Sequence, residues 1–160
     1  LLAQADYDLP LTITTPELTH DLIDLSDQTL RTILPEYVSG NVQPAPQLDV
    51  TIADSHEPSY SRKLTKQDSI LDFQKTAAEL EREVRAFIEW PRSRTTIGGT
   101  DVVITRAHAS DISGTPGTLW LDGKQLGIHC ASGTLVIERL IPSGKKEMDA
   151  ASFLAGYKLA

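Results

Sequence analysis

The hydrophobic period of this chain changes at Pro91, and that change limits the fold more than any other feature. Upstream, "TAAELEREVRAFIEW" sets Leu80, Val84, Phe87 and Ile88 on one helical stripe, with Arg82, Arg85 and Glu89 across the wheel. Thr76 and Glu79 supply a T-x-x-E capping box at its start. Downstream the period is two. "TTI", "DVVITRAHA", "GTLWLD", "QLGIHC" and "TLVIERLI" are short and rich in Val, Ile, Thr and Leu. They are separated by "GG", "SGTPG", "DGK" and "ASG", which are turn sequences. Five short strands behind one helix predict a small antiparallel barrel, an α+β, mostly β arrangement. "LDGKQL" is read as a hairpin by the Asp-Gly rule. Asp149 is placed to cap a last helix, "AASFLAGY".

The front of the chain reads differently. "TTPELTHDLIDLSDQTLRTILPEYVSG" predicts two consecutive helices. Thr15 serves as N-cap, Pro16 takes the first helical position, and Leu18, Leu22 and Leu25 share a face. Ser26 is expected to cap the second helix, whose stripe is Leu30, Ile33, Leu34 and Tyr37. Pro35 should kink or end it, and Gly40 closes the segment. Residues 41–59 carry three prolines and no helical periodicity, so they read as an extended linker between residues 1–40 and a domain over 60–160. Charge divides along the same line. Residues 1–60 hold ten acids against Arg31, a net of −9, whereas residues 61–160 carry +2. The lone methionine is Met148 and residue 1 opens inside apolar "LLAQ", so the chain reads as the interior of a longer polypeptide. A processed mature start is the alternative.

Catalytic constellations are scarce. His20, His56, His108 and His129 fall in separate segments, none at metal-ligand spacing, and no metal is expected. Gly144-Lys145-Lys146 resembles the tail of a phosphate loop, but Arg139 stands where its first glycine should be, and no Ser or Thr follows the lysine. Asp68 and Asp72 fall at a turn and a helix start, where capping is the simpler role. No apolar run approaches the roughly 18 residues that span a bilayer, so no membrane partner is expected. Cys130, the single cysteine, sits in an apolar strand as a buried thiol, which suits a reducing cytoplasm.

What remains is a binding module. Cations bunch at Arg62, Lys63 and Lys66, at Arg92 and Arg94, and at Lys145 and Lys146. A small barrel with a positive groove and stacking aromatics is a common nucleic-acid scaffold.

"YSRKLTKQDSILDFQKTAAELEREVRAFIEWPRSRTTIGG" and "GTLVIERLIPSGKKEMDAASFLAGY" together resemble the C-terminal part of the methionyl-tRNA formyltransferases. The family's Tyr-x-x-Lys-(Ile/Leu)-x-Lys opening is matched by Tyr60, Lys63, Leu64 and Lys66. Its Ile-Asp-Trp appears as Leu71-Asp72-Phe73. Its Asn-Pro-Trp-Pro appears as Ile88-Glu89-Trp90-Pro91, which keeps the last two residues. Its late P-x-G-K-K-x-M-x-A-x-x-F-L-x-G is matched by Pro142, Gly144, Lys145, Lys146, Met148, Ala150, Phe153, Leu154 and Gly156. The acidic front is similar to the last strand and two helices of the family's N-terminal, Rossmann-like domain.

The resemblance implies a five- to six-stranded OB-like barrel with a flanking helix, preceded by a linker and a helical remnant of that domain. It implies a parent enzyme that moves a formyl group from 10-formyltetrahydrofolate to the amino group of initiator methionyl-tRNA. The catalytic and folate-binding residues would lie upstream, so this portion has no catalytic residue, binds no cofactor and is inactive alone. Its partners would be initiator methionyl-tRNA and the N-terminal catalytic domain. Lys63, Lys66, Arg92, Arg94, Lys145 and Lys146 would contact tRNA, with Trp90 and Pro91 as the structural anchor that ends the helix on the barrel. Two alternatives stay open. One is the same plan in a sugar N-formyltransferase or a formyltetrahydrofolate hydrolase or dehydrogenase. The other is a stand-alone interaction barrel.

Overall fold

The computed structural model describes residues 1–46 and 60–157. Two compact units emerge, Leu1–Lys63 and Leu64–Ala160. Most of the expected linker, from residue 47 to 59, lies outside the described residues.

In the first unit the two expected helices are one, α1, Thr15–Val38. The cap is Thr14 rather than Thr15: its backbone N–H donates to the Glu17 carboxylate at 2.8 Å, one half of a capping box. Ser26 does not restart the helix, because its hydroxyl turns back to the Ile23 carbonyl at 2.9 Å. Leu18, Leu25, Thr29 and Ile33 are half-buried on one stripe that runs through Ser26 without a break. Pro35 does not end the helix, which runs three residues further. In the last turn its missing N–H forfeits a single bond. Closure comes at Gly40 (φ 76°), where Gly40 donates to Tyr37 and Asn41 to Glu36, a Schellman arrangement. Of the strand expected ahead of α1, the described residues form only a backbone pair between Leu1 and Ala45. A lone extended segment lacks the neighbours that make a ladder.

The second unit is built around an antiparallel sheet. Its strands are β1 (Ser93–Ile97), β2 (Thr100–Ser110), β3 (Leu119–Asp122), β4 (Gln125–His129), β5 (Thr134–Pro142) and β6 (Met148–Asp149). All five strands expected from the period-two runs are present. The hydrogen-bonded order is β1-β2-β5-β4-β3, with β6 also on β5, so the sheet is barrel-like but open between β1 and β3. The turns follow glycine chemistry. Gly98 and Gly99 both have positive φ (54° and 74°), as a two-residue primed turn between β1 and β2 requires. In the β3–β4 hairpin Asp122 still pairs with Gln125, so the loop is Gly123-Lys124 and not Asp-Gly. Gly123 (φ 58°) takes the first loop position, the type II′ requirement.

The β5 strand is the hub. Thr134, Leu135, Val136 and Ile137 are all buried, so both faces of this stretch are covered. Along one edge β5 pairs with β2 over nearly its full length. Along the other it pairs with β4 through Thr134–Ile137 and then with β6 at Arg139 and Leu140. The exchange of partners coincides with a register irregularity opposite Thr105 and Arg106 of β2. Such irregularities bend a sheet and start its curl.

Helix α2 (Ala77–Ala86) lies on β2 and β5. Thr76 caps it as expected, accepting from the Glu79 N–H at 3.2 Å, while Thr76 N–H donates to Glu79 at 2.8 Å. Leu80 and Val84 are buried, but Phe87 and Ile88 of the expected stripe are only half-buried, because the helix stops at Ala86. Helix α3 (Ala150–Gly156) is capped by Asp149, whose carboxylate accepts from Ser152 N–H at 2.7 Å, and it buries Phe153. The core joins Leu80, Ile97, Ile104, Leu126, Leu135, Leu140 and Phe153. Cys130 is buried as expected, and burial pushes its thiol up from the ordinary value. No helix among the described residues is long and apolar enough to cross a membrane.

The N-terminus of α2 docks on the β4–β5 turn, where Ala77 N–H donates to the Ser132 carbonyl at 2.9 Å. Gly133 in that turn has φ 78°, and a Cβ there would stand 2.4 Å from the Ser110 carbonyl oxygen. We predict that Gly133→Ala destabilises the second unit by at least about 2 kcal/mol, from left-handed strain plus the backbone clash. Urea unfolding measures it, and an unchanged midpoint would refute the close approach.

Candidate nucleic-acid interface

Beyond α2 the chain leaves the helix at Phe87, makes a loop, and enters β1 through a cis Trp90–Pro91 bond. The loop is closed by Arg92 N–H donating to the Phe87 carbonyl at 2.9 Å. Arg92 has φ 69°, the single non-glycine residue in the left-handed region among those described. The expected anchor pair divides. Pro91 is buried, whereas Trp90 keeps 53% of its surface exposed. The helix ends four residues before the indole, so nothing in α2 carries Trp90 onto the sheet.

The lysine-bearing opening meets β1 through the backbone. Thr65 caps a 3-10 turn, Lys66–Ser69, with its N–H donating to Asp68 at 2.6 Å. Asp72 accepts from Gln74 N–H at 3.0 Å. Both aspartates therefore bond local backbone, as the capping reading expected. The chain then lies along β1: Ile70 bridges Arg94 in parallel, and Leu71 N–H donates to the Arg94 carbonyl at 3.0 Å. This pairing brings Lys66 to the start of the strand that carries Arg94.

Two adjoining hollows result, sharing Ile70 and Arg94 as their common wall. The first, about 340 Å³, is lined also by Lys66, Gln67, Ser69, Trp90 and Pro91. The second, about 500 Å³, continues past Thr95, Thr96 and Asp101 to Pro142, Ser143 and Gly144. Gly144 precedes Lys145 and Lys146, both exposed on the β5–β6 turn. Lys66, Arg94 and the edge of the double-lysine turn thus follow one another along a continuous trough. Asp101 is its one acidic wall; its carboxylate accepts from the Thr96 hydroxyl at 2.8 Å. Arg92 is exposed two residues before Arg94 but does not line the trough. Lys63 is the last residue of the first unit.

Pairing separates the cations. Lys75 bonds Glu83 at 2.7 Å, Arg106 bonds Glu138 at 2.7 Å and Arg139 bonds Glu147 at 2.8 Å. Arg85 bonds Glu81 through Nε and Nη2, an internal i, i+4 pair. Among the described residues, Lys66, Arg92, Arg94, Lys145 and Lys146 take part in no ion pair. An unpaired exposed cation is free to meet a phosphate without first giving up a carboxylate.

The structure also contains a positioning residue that the sequence did not single out. Glu147 accepts from the Thr105 hydroxyl of β2 at 2.6 Å and from Arg139 of β5 at 2.8 Å. It pins the end of the Lys145-Lys146 turn to two strands. Nothing in the local pattern announces this, because Thr105 lies 42 positions away. Gln67, Ile70 and Asp101 join the trough for the same reason: they are near only through the sheet. His108 and His129 bond within the sheet, and His56 lies outside the described residues. His108 Nδ1 lies 2.9 Å from Glu138, and His129 Nδ1 lies 2.7 Å from the Thr134 hydroxyl. No metal-holding cluster occurs among the described residues.

The sequence profile described as "Formyl transferase, C-terminal domain" matches residues 63–158. The chain belongs to that family. The chain is 40% identical over 148 residues to the methionyl-tRNA formyltransferase of Myxococcus xanthus, covering 92% of this chain and 46% of that protein. The methionyl-tRNA formyltransferase of Roseiflexus castenholzii is 32% identical over 162 residues, covering 99% of this chain and 50% of its own. The chain therefore spans about half the length of these curated relatives. A crystal structure of a HypX variant from Aquifex aeolicus superposes with a TM-score of 0.63 at 15% identity, over 94% of this chain and 27% of its own. That likeness is one of fold.

The bonds to Thr105 and Arg139 hold the Glu147 carboxyl below its ordinary value of 4.5. As pH falls the unfolded chain takes up this proton first, so the stabilisation is complete above about 4.5 and disappears as pH drops through the folded value. We predict that Glu147→Gln lowers stability near pH 7 by no more than about 1 kcal/mol, since the pair is solvent-exposed. The difference from wild type should shrink as pH falls below 4.5 and vanish once it has passed through the folded value. A gap independent of pH in urea titrations would contradict the ionised bond.

Proposed function

We propose that this formyl transferase C-terminal domain is the RNA-facing, non-catalytic part of a methionyl-tRNA formyltransferase acting in the cytoplasm. The parent enzyme would pass a formyl group from 10-formyltetrahydrofolate to methionyl initiator tRNA, with the catalytic groups on the part of the protein that precedes these residues. The observation that carries the reading is the trough, where Lys66 and Arg94 line one continuous hollow that ends beside Lys145 and Lys146. Cations spaced along a groove neutralise successive phosphates and release their condensed counterions. Such contacts fix the position of a folded RNA without reading its sequence, which suits a substrate whose identity is checked at its reacting end. Arg92, adjacent in the chain, would add to the same field. Lys63 would join it only if the first unit is so placed. The net charge of −7 is no obstacle, since residues 61–160 carry +2 and the acids concentrate in front.

Three to five phosphate contacts predict a slope of about −2.7 to −4.5 in the logarithm of affinity against the logarithm of salt. Binding of initiator tRNA should then weaken about 40- to 500-fold between roughly 50 and 200 mM. A flat response, read by filter binding or fluorescence anisotropy, would remove the electrostatic reading. In the full-length protein, Lys145→Ala with Lys146→Ala should raise KM for tRNA roughly five- to thirtyfold, two exposed ion contacts of up to about 1 kcal/mol each. KM for the folate should hold. Equal changes for both substrates would indicate a folding defect instead.

A further inference from the structure

The first hollow carries more than charge. Trp90 is 53% exposed and Ile70 is 67% exposed, and both line it. Leaving a large indole and a branched aliphatic side by side in water is unfavourable for the isolated domain, because apolar area stays hydrated. Two cations, Lys66 and Arg94, line the same hollow, and neither has an acidic partner among the described residues. Gln67 adds an amide able both to donate and to accept. The volume, about 340 Å³, is on the scale of a single nucleotide rather than of a duplex. The other tryptophan is set apart: Trp120 pairs across the hairpin with Gly127, and a Cβ there would stand 3.1 Å from its ring. Trp120 covers a glycine of its own sheet, whereas Trp90 keeps half its surface exposed.

We propose that this hollow is a single-nucleotide site, in which an unpaired base stacks on the Trp90 indole while Lys66 and Arg94 hold its flanking phosphates. The inference rests on the RNA-binding reading above and adds to it a preference that phosphate neutralisation cannot supply. Stacking on an aromatic face tolerates any base but requires that the base be out of a helix. A folded RNA offers such bases in its loops, bulges and ends, and not along its stems. Ile70, shared with the second hollow, closes the apolar floor where the trough continues toward Gly144. Glu89, next to Trp90 and exposed, opposes the anion there and makes a bound phosphate prefer the Lys66 and Arg94 side.

The test uses the complete 160-residue chain carrying Trp120→Phe, which leaves Trp90 as the only indole. Its fluorescence is titrated with octauridylate, a single strand with little stacking of its own, and with a blunt RNA duplex of matched phosphate number. The expected result is saturable quenching by octauridylate and little change with the duplex. Trp90→Ala should weaken octauridylate binding at least fivefold, Trp90→Phe by less, and neither should shift duplex affinity more than about twofold. Because Trp90 is exposed, thermal melting of both variants should match the parent. Arg94→Ala should weaken both probes. Equal quenching by the two probes, or undiminished octauridylate binding by Trp90→Ala, overturns the nucleotide site and leaves the RNA-binding reading standing. If neither probe binds at low salt, the RNA-binding reading falls and the nucleotide site with it.

Discussion

The second unit depends on the two-sided burial of one strand. Thr134 to Ile137 of β5 meet α2 and the core on one face and lie covered on the other, while both edges are engaged by β2, β4 and β6. A strand so enclosed reads as an apolar run, as "LVI" does, and buried Thr134 donates its hydroxyl to the Ile112 carbonyl. Where the run meets Glu138 and Arg139, the strand changes partners and β2 loses register. The bend is lined with charge because it has reached solvent: Arg106 with Glu138, and Arg139 with Glu147. Curl of the sheet and pinning of the lysine turn therefore have one origin. Glu147 can reach Thr105 and Arg139 together only because β5 has brought β2 and β6 to opposite edges of the same residues.

The trough follows from that curl. β1 hangs on β2, and the segment from Lys66 to Leu71 hangs on β1 through the Arg94 backbone. Arg94 faces outward in a strand whose neighbours Ser93 and Ile97 face inward. The far end of the trough is the β5–β6 turn, held by Glu147. Three parts of the chain with no local relation thus border one surface. Carboxylates neutralise Lys75, Arg85, Arg106 and Arg139, whereas Lys66, Arg94, Lys145 and Lys146 take part in no ion pair among the described residues. Fields from unpaired cations along a concave wall add, whereas those of paired ones largely cancel.

Misreadings concentrate where the setting of a residue overrides its own preference. Ser26 is a good cap by type, yet the apolar stripe of α1 runs through it and its hydroxyl bonds backward within the helix. Pro35 breaks helices in general but costs little one turn from the end. Asp122-Gly123 suggested the turn one residue early, because the pairing of Asp122 with Gln125 sets the register and leaves Gly123 to lead the loop. The resemblance implied Trp90 as an anchor that ends the helix on the barrel, but α2 ends at Ala86 and Trp90 keeps 53% of its surface exposed. In each case the residue's own preference is real and small, and it yields to a neighbour fixed elsewhere.

What the amino-acid order determined alone is the helix-then-strands content of the second unit and several of its caps, turns and local pairs. The strands between glycine turns, the Thr76–Glu79 box, the Asp149 cap, the left-handed glycines and the Glu81–Arg85 pair all rest on bonds spanning a few residues. Free energies of that range are written locally and can be read locally. Only the tertiary structure decided which cations stay unpaired, that Lys66, Trp90 and Arg94 share a hollow, and that Thr105 holds the lysine turn through Glu147. Those facts depend on pairing and burial between residues far apart in the chain, and no short window of sequence contains both partners.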